Sequence, residues 1–115
     1  MTGYKINRVT SDIRMALSEL LRTVKDPRVS QMLSIVKLDV SGDMSYATVY
    51  VSAIEGKEKT EESVKALNKS ASGYLRRSLG SSLHLRKVPQ LRFVADNSIE
   101  KSAEISRIID SFEQD

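Results

Sequence analysis

The sequence predicts an α+β fold, a two-layer domain whose three-stranded sheet is covered by helices on one face. Two kinds of hydrophobic periodicity carry that expectation. Apolar residues recur at three- and four-residue steps over residues 6–24 and 64–79, and alternate with polar ones over residues 36–51 and 91–95. Size is the third observation. At 115 residues the chain lies near the low end of the roughly 100 to 200 residues of one compact domain, so a single domain is expected over residues 1–115. Hydrophobic residues make up 40% of it and charged residues 29%, a globular balance.

Ile6, Val9, Ile13, Leu17, Leu20, Leu21 and Val24 form one stripe of a long amphipathic helix. It should stop at Asp26-Pro27, because the residue before proline avoids helical angles. Val36, Leu38 and Val40 alternate with Lys37 and Asp39, and Ala47, Val49 and Val51 alternate with Thr48, Tyr50 and Ser52, giving two strands. Ser41, Gly42 and Asp43 supply turn chemistry between them, so the pair reads as an antiparallel hairpin with one buried face. Gly56 and Lys57 to Lys59 read as a loop, and Thr60 as the N-cap of a helix with Glu61 and Glu62 in its first turn.

The stripe Val64, Leu67, Ala71, Leu75 and Leu79 runs on through Gly73, which therefore interrupts a helix rather than ending it. A mid-helix glycine costs about 0.5 to 1 kcal/mol relative to alanine, so either a bend or close approach uses it or the cost is tolerated. Gly80 reads as the helix stop. Leu91, Phe93 and Ala95 alternate with Arg92 and Val94 as a third strand behind Pro89. Ser98 then caps a closing helix with Ile105, Ile108, Ile109 and Phe112 on its buried side.

A net charge of +3 conceals a strong asymmetry. Ser63 to Ala95 contains no Asp or Glu, while Lys65, Lys69, Arg76, Arg77, Arg86, Lys87 and Arg92 give it seven positive charges; the remainder, with eleven basic and fifteen acidic residues, carries −4. Composition alone leaves two readings open: a surface for a polyanion such as nucleic acid, or a solvated helix face. For the first, Gly73 lies where a backbone could approach a phosphate, and the rings of Tyr46, Tyr50 and Tyr74 could stack on bases, against edge-of-core packing, which is the favoured reading for Tyr50 and stays open for Tyr74. Aromatic content of 5% makes phosphate and shape recognition the better-supported mode.

Catalysis has poor material. His84 is the sole histidine and sits between Leu83 and Leu85 beside Arg86, a packing or surface setting. There is no cysteine, no histidine cluster for zinc, no calcium loop and no nucleotide-binding glycine pattern, so neither metal nor cofactor is expected. Apolar runs reach only three residues, against the ~20 needed to cross a bilayer. A cytoplasmic protein without membrane association is therefore expected. Asn68-Lys69-Ser70 is then a chance match to a glycosylation acceptor.

Several segments in order nevertheless resemble one family. Lys25-Asp26-Pro27-Arg28 follows the first helix, Tyr46-Ala47-Thr48-Val49-Tyr50-Val51-Ser52 forms the second strand, and Ala71-Ser72-Gly73 marks the helix interruption. Leu85-Arg86-Lys87-Val88-Pro89-Gln90-Leu91-Arg92-Phe93 leads to Asp96-Asn97-Ser98. Across nearly the whole chain this pattern resembles the bacterial ribosome-binding factor A proteins. The resemblance implies a type II KH-like domain in which an Ala-x-Gly kink, here Ala71, Ser72 and Gly73, replaces the Gly-x-x-Gly loop of ordinary KH domains.

It further implies a non-catalytic assembly factor that binds 16S rRNA within free 30S subunits, aids late maturation near the 5′ end of that rRNA, and serves cold adaptation. A functional link to assembly GTPases follows from the same likeness, and a monomer is expected. On that reading Lys65, Lys69, Arg76, Arg77, Arg86 and Lys87 neutralise phosphates, and Ser72 and Gly73 bring the kink backbone close to RNA. The alternative, from another class, is a protein-interaction module that docks on a ribosomal protein or GTPase without touching RNA.

Overall fold

The computed structural model describes residues 2–96, and side chains from Arg8 onward. The closing helix expected from Ser98, with Ile105, Ile108, Ile109 and Phe112, lies outside the described residues. Within them the elements are α1 (Thr2–Leu21), β1 (Leu33–Val40), β2 (Tyr46–Ala53), α2 (Lys57–Ala66), a π-helical turn (Leu67–Ala71), α3 (Ser72–Leu83) and β3 (Gln90–Ala95). The sheet runs β1-β2-β3, with β1 antiparallel and β3 parallel to β2. A parallel return needs a crossover, and α2, the π turn and α3 provide it.

One buried cluster joins the layers. Ile13, Leu17 and Leu21 of α1 meet Leu38, Val49, Val51 and Phe93 of the sheet and Leu67, Leu75 and Leu79 of the crossover. The predicted α1 stripe is thus the packed one, but α1 ends at Leu21 rather than beside Pro27. The Thr23 hydroxyl donates to the Leu20 carbonyl at 2.7 Å, and Arg22 and Thr23 amides bond three residues back. A β-branched residue whose hydroxyl takes a backbone carbonyl tightens and closes the last turn.

The hairpin is antiparallel as expected, with one register break. β1 carries a bulge between Ile35 and Lys37, so Ile35 and Leu38 point into the core while Val36 stands 40% exposed. Strict alternation had placed Val36 inside; the extra bulged residue turns it out. At the other end the turn spans Ser41–Ser45, where Ser41 Oγ accepts the amides of Ser45 and Tyr46, both at 3.0 Å. Met44, not Gly42, takes the left-handed backbone, at φ 62°.

Thr60 is not an N-cap. α2 starts at Lys57 behind Gly56, and Thr60 is buried within it, donating its hydroxyl to Gly56 O at 2.7 Å and accepting the Ala53 amide at 2.9 Å. Ser63 is likewise fully buried, accepting the Ser30 amide at 2.9 Å and donating to Lys59 O at 2.7 Å. These hydroxyls replace apolar contacts by hydrogen bonds, which is what keeps their burial tolerable. Gly80 is not the helix stop either. α3 runs to Leu83, and His84 supplies the left-handed cap at φ 53°, ψ 42°, with Leu85 N–H returning to Gly80 O at 3.3 Å.

Candidate nucleic-acid interface

The helix interruption is real but lies ahead of Gly73. Leu67–Ala71 forms a π-helical turn, and Ala71 departs from helical angles at φ −106°, ψ −13°. Such a turn needs a reason, because its geometry is unfavourable and appears mainly at functional or constrained positions. Asn68 gives one. Its side-chain amide donates to Phe93 O and its carbonyl oxygen accepts Phe93 N–H, both at 2.9 Å, so it pairs with the open edge of β3 as a neighbouring strand would. Sequence reading passed over Asn68 because this pairing joins residues 25 positions apart.

Gly73 occupies the second position of α3, is exposed, and a Cβ there would meet nothing within 4 Å. Crowding inside the chain therefore does not require glycine there. Gly80 is the position of close approach. A Cβ on it would stand 2.7 Å from Val88 Cγ2, where the loop after α3 lies against the helix.

All six predicted cations, Lys65, Lys69, Arg76, Arg77, Arg86 and Lys87, are exposed. Lys65 closes α2, Lys69 lies in the π turn, Arg76 and Arg77 are on α3, and Arg86 and Lys87 are on the loop to β3. Two of them also hold structure. Arg76 donates twice to Val88 O, from Nε at 3.2 Å and Nη2 at 2.9 Å, tying that loop to α3. Lys87 Nζ donates to Asp43 O at 3.1 Å and to Ser45 Oγ at 3.4 Å, tying the same loop to the hairpin turn. None of the six forms an ion pair within the described residues. Ser72 is half-buried and its hydroxyl donates to Asn68 O at 3.3 Å, so it braces the π turn from within.

A further cation reaches this surface from the loop after α1. Arg28 binds Asp26 through Nε at 3.0 Å and Nη2 at 2.7 Å, and Nη2 also donates to Ser70 Oγ of the π turn at 3.4 Å. The Arg28 side chain first, and its amide second, hold the Asp26 carboxyl down at about 2. Lys59 Nζ fixes the loop from α2 by donating to Pro27 O at 2.8 Å. The motif Lys25-Asp26-Pro27-Arg28 was the available signal, although nothing local in it shows which helix Arg28 meets.

The tyrosines divide. Tyr74 spends its hydroxyl on Thr23 Oγ1 at 3.0 Å, joining α3 to the end of α1. Tyr46 and Tyr50 lie on the sheet with Arg92 and Lys37 over their rings, at 6.0 and 5.5 Å from the centroids. His84 serves as a helix cap and is exposed. Among the described residues no three metal-ligating side chains come together, and no helix is long and apolar enough to cross a membrane.

The comparison with known proteins decides the lineage. The sequence pattern of the family described as Ribosome-binding factor A matches residues 5–109. This chain belongs to that family. A relative named Ribosome-binding factor A from Treponema denticola is 40% identical over 98% of this chain and 86% of its own length. Among solved structures, the solution structure of a Thermotoga maritima protein described as a putative ribosome binding factor A superposes with a TM-score of 0.70. It shares 34% identity and covers 82% of this chain and 89% of its own. A homology model of the Thermus thermophilus factor, fitted into a cryo-EM map of a 30S complex, gives a TM-score of 0.64 at 28% identity, over 76% of this chain and 90% of its own. The family likeness thus holds in sequence and in fold.

Proposed function

We propose that this protein is a non-catalytic assembly factor that binds 16S rRNA in free 30S subunits through the surface formed by the π turn, α3 and the loop to β3. One observation carries the reading. The acid-free stretch from Ser63 to Ala95 presents seven exposed cations on consecutive elements, none of them in an ion pair within the described residues, in a family whose Thermus thermophilus member has been fitted into a 30S complex. Lys65, Lys69, Arg77 and Arg86 neutralise phosphates, Arg76 and Lys87 hold the loop while keeping donors free, and Ser72 with Gly73 lets backbone approach RNA.

In this reading residues 1–115 form one KH-like domain of type II, in which the junction of the π turn and α3, at Ala71-Ser72-Gly73, stands where ordinary KH domains carry a Gly-x-x-Gly loop. Binding one rRNA conformation more tightly than another shifts the population toward it, which is how occupancy aids late maturation near the 5′ end. The same action explains a role in the cold, where misfolded rRNA rearranges slowly. The protein acts as a cytoplasmic monomer and leaves the subunit with the help of assembly GTPases.

The decisive experiment replaces Lys69 and Arg77 together by Glu and measures sedimentation with purified 30S subunits, with a thermal melt as the control for folding. Arg76 is left intact because it holds the loop at Val88. The expected result is a parent-like melt with binding reduced by an order of magnitude or more. Unchanged binding by the folded variant removes this surface from the interface and leaves docking on a ribosomal protein as the surviving account.

A further inference from the structure

The core occupies one face of the sheet, and the opposite face carries two aromatic rings. Along β2, Ala47, Val49 and Val51 are buried in the core, so Tyr46, Thr48 and Tyr50 stand on the other side, exposed or half-buried. An aromatic content of 5% speaks against a stacking platform, yet two of the chain's six aromatic rings share one face of one strand. β2 is the middle strand, paired on both sides, so both rings rise from a fixed support.

The strand register brings a cation to each ring. Lys37 lies directly opposite Tyr50, with Nζ 5.5 Å from the ring centroid. Arg92 lies opposite Thr48, one step along the face from Tyr46, with its guanidinium 6.0 Å from that ring. Both distances are close to the ~6 Å limit of cation–π contact, so these are weak contacts that a better-fitting flat group displaces. A nucleic-acid base is such a group, and it stacks equally on tyrosine rings and on arginine guanidinium planes.

Spacing and charge define which form of nucleic acid fits. Four residues along a strand separate the two rings by about 13 Å, against the ~3.4 Å step between neighbouring nucleotides of one strand in a duplex. Only an unpaired segment with its bases splayed apart meets both rings. Asp39 is the sole acidic residue of the three strands, and it neutralises the β1 side by pairing with Lys37 at 3.5 Å. The β3 side stays positive, because Arg92 has no ion-pair partner within the described residues. It also joins the crossover surface: Lys87 Nζ donates to Ser45 Oγ and the Gln90 amide to Ser45 O, one residue before Tyr46. A strand lying on Arg86 and Lys87 is thereby led to the Tyr46 end of the face.

We propose that this face is a second RNA-binding site, for an unpaired stretch of the same rRNA whose contact with the crossover surface it presupposes. Two non-adjacent bases stack on Tyr46 and Tyr50, and Arg92 meets the backbone between them.

Stacking of this kind is lost about five- to 150-fold per ring on truncation to alanine. In the full chain, Tyr46→Ala combined with Tyr50→Ala is therefore expected to weaken 30S binding at least about tenfold, by the same factor at every potassium concentration, because stacking releases no counterions. Tyr46→Phe combined with Tyr50→Phe keeps both rings and should bind like the parent, with thermal melts as the control for folding. A p-azidophenylalanine in place of Tyr50, close to tyrosine in size, identifies the occupant and decides alone if the alanine pair unfolds the chain. The same probe in place of Lys69 marks the crossover surface. On irradiation of the 30S complex, the probe at Tyr50 should attach to unpaired nucleotides of 16S rRNA. Attachment only to a ribosomal protein overturns the proposal in favour of a protein partner. Attachment to paired nucleotides, or an equal loss of binding in the phenylalanine pair, overturns stacking. Attachment to rRNA from Lys69 but not from Tyr50, or parent-like binding by the folded alanine pair, removes this face and leaves the crossover surface in place. If neither probe reaches rRNA, both sites fall together.

Discussion

The hairpin and the crossover are held together by different means. β1 and β2 rely on a backbone ladder, an alternating apolar face and a turn closed by its own Ser41, all within neighbouring sequence. The crossover is placed by side chains that reach far along the chain to backbone or hydroxyl groups: Asn68 to Phe93, Arg76 to Val88, Arg28 to Ser70 and Tyr74 to Thr23. The contrast teaches that the region richest in positive charge is also the one whose shape depends on polar side chains. A cation there has to be tested for architecture before it is assigned to a ligand.

The largest expected effect separates the two regions by salt. If phosphates are the partner, log K for 30S binding falls linearly with log salt by roughly 0.7 to 0.9 per contact, so four to six contacts give a slope of about −3 to −5. Arg77→Gln should make that slope shallower by about one contact, whereas Lys37→Gln, on the hairpin and paired with Asp39, should leave it unchanged. Titrations against 30S subunits at several potassium concentrations with magnesium fixed provide the measurement. A slope near zero, or equal changes from both variants, would erase the proposed difference between the regions.

Next come the long-range contacts of the crossover. Gly80→Val places a branched side chain where even a Cβ meets Val88 Cγ2 at 2.7 Å, and overpacking of that kind costs about 1 to 3 kcal/mol in chemical denaturation. Asn68→Ala removes both bonds to the β3 edge, and leaving such groups without a protein partner costs about 1 to 3 kcal/mol, toward the low end where water reaches them. Gly73→Ala has the opposite sign. With open space around the new Cβ, helix propensity predicts a gain of about 0.5 to 1 kcal/mol. The same variant should bind 30S subunits less tightly if RNA backbone comes close at that position.

These three positions also mark where sequence reading succeeded and where it stopped. Periodicity located every described strand and helix, and it named Ile13, Leu17, Val49, Leu67, Leu75, Leu79 and Phe93 as core, because burial on one face leaves a repeating trace. It missed the bulge at Val36, since one inserted residue shifts the alternation without changing composition. It assigned the helix stop to Gly80 and a cap to Thr60, where glycine instead answers to Val88 of the loop after α3 and threonine to the Ala53 amide at the end of β2. Of the candidate interface, the charge asymmetry was legible in full. The bracing by Asn68, Arg76 and Arg28 was not, because it is decided by which distant backbone group each side chain happens to face.

The smallest effect concerns acid, and each region contributes one carboxylate to it. Asp26 and Asp43 are both lowered from 3.8 to about 2. Each therefore stabilises the folded chain fully above about pH 4, and that contribution disappears as pH falls from about 4 toward 2, where the unfolded state binds the proton first. The causes differ. Asp26 is held chiefly by the Arg28 guanidinium, whereas Asp43 is held by the Ser45 and Ser41 hydroxyls and the Ser45 amide, with Lys87 a minor contributor. An exposed ion pair is screened by salt, whereas short hydrogen bonds from neutral donors to a carboxylate are screened far less. Asp26→Asn should therefore shift the acid unfolding midpoint upward at low salt and scarcely at high salt, while Asp43→Asn should shift it equally at both. Acid titrations followed by circular dichroism at two potassium chloride concentrations test this. A salt-independent effect at Asp26 would show that the loop leading to the crossover is held by its Arg28 amide bond, as the hairpin turn is, and not by its charge.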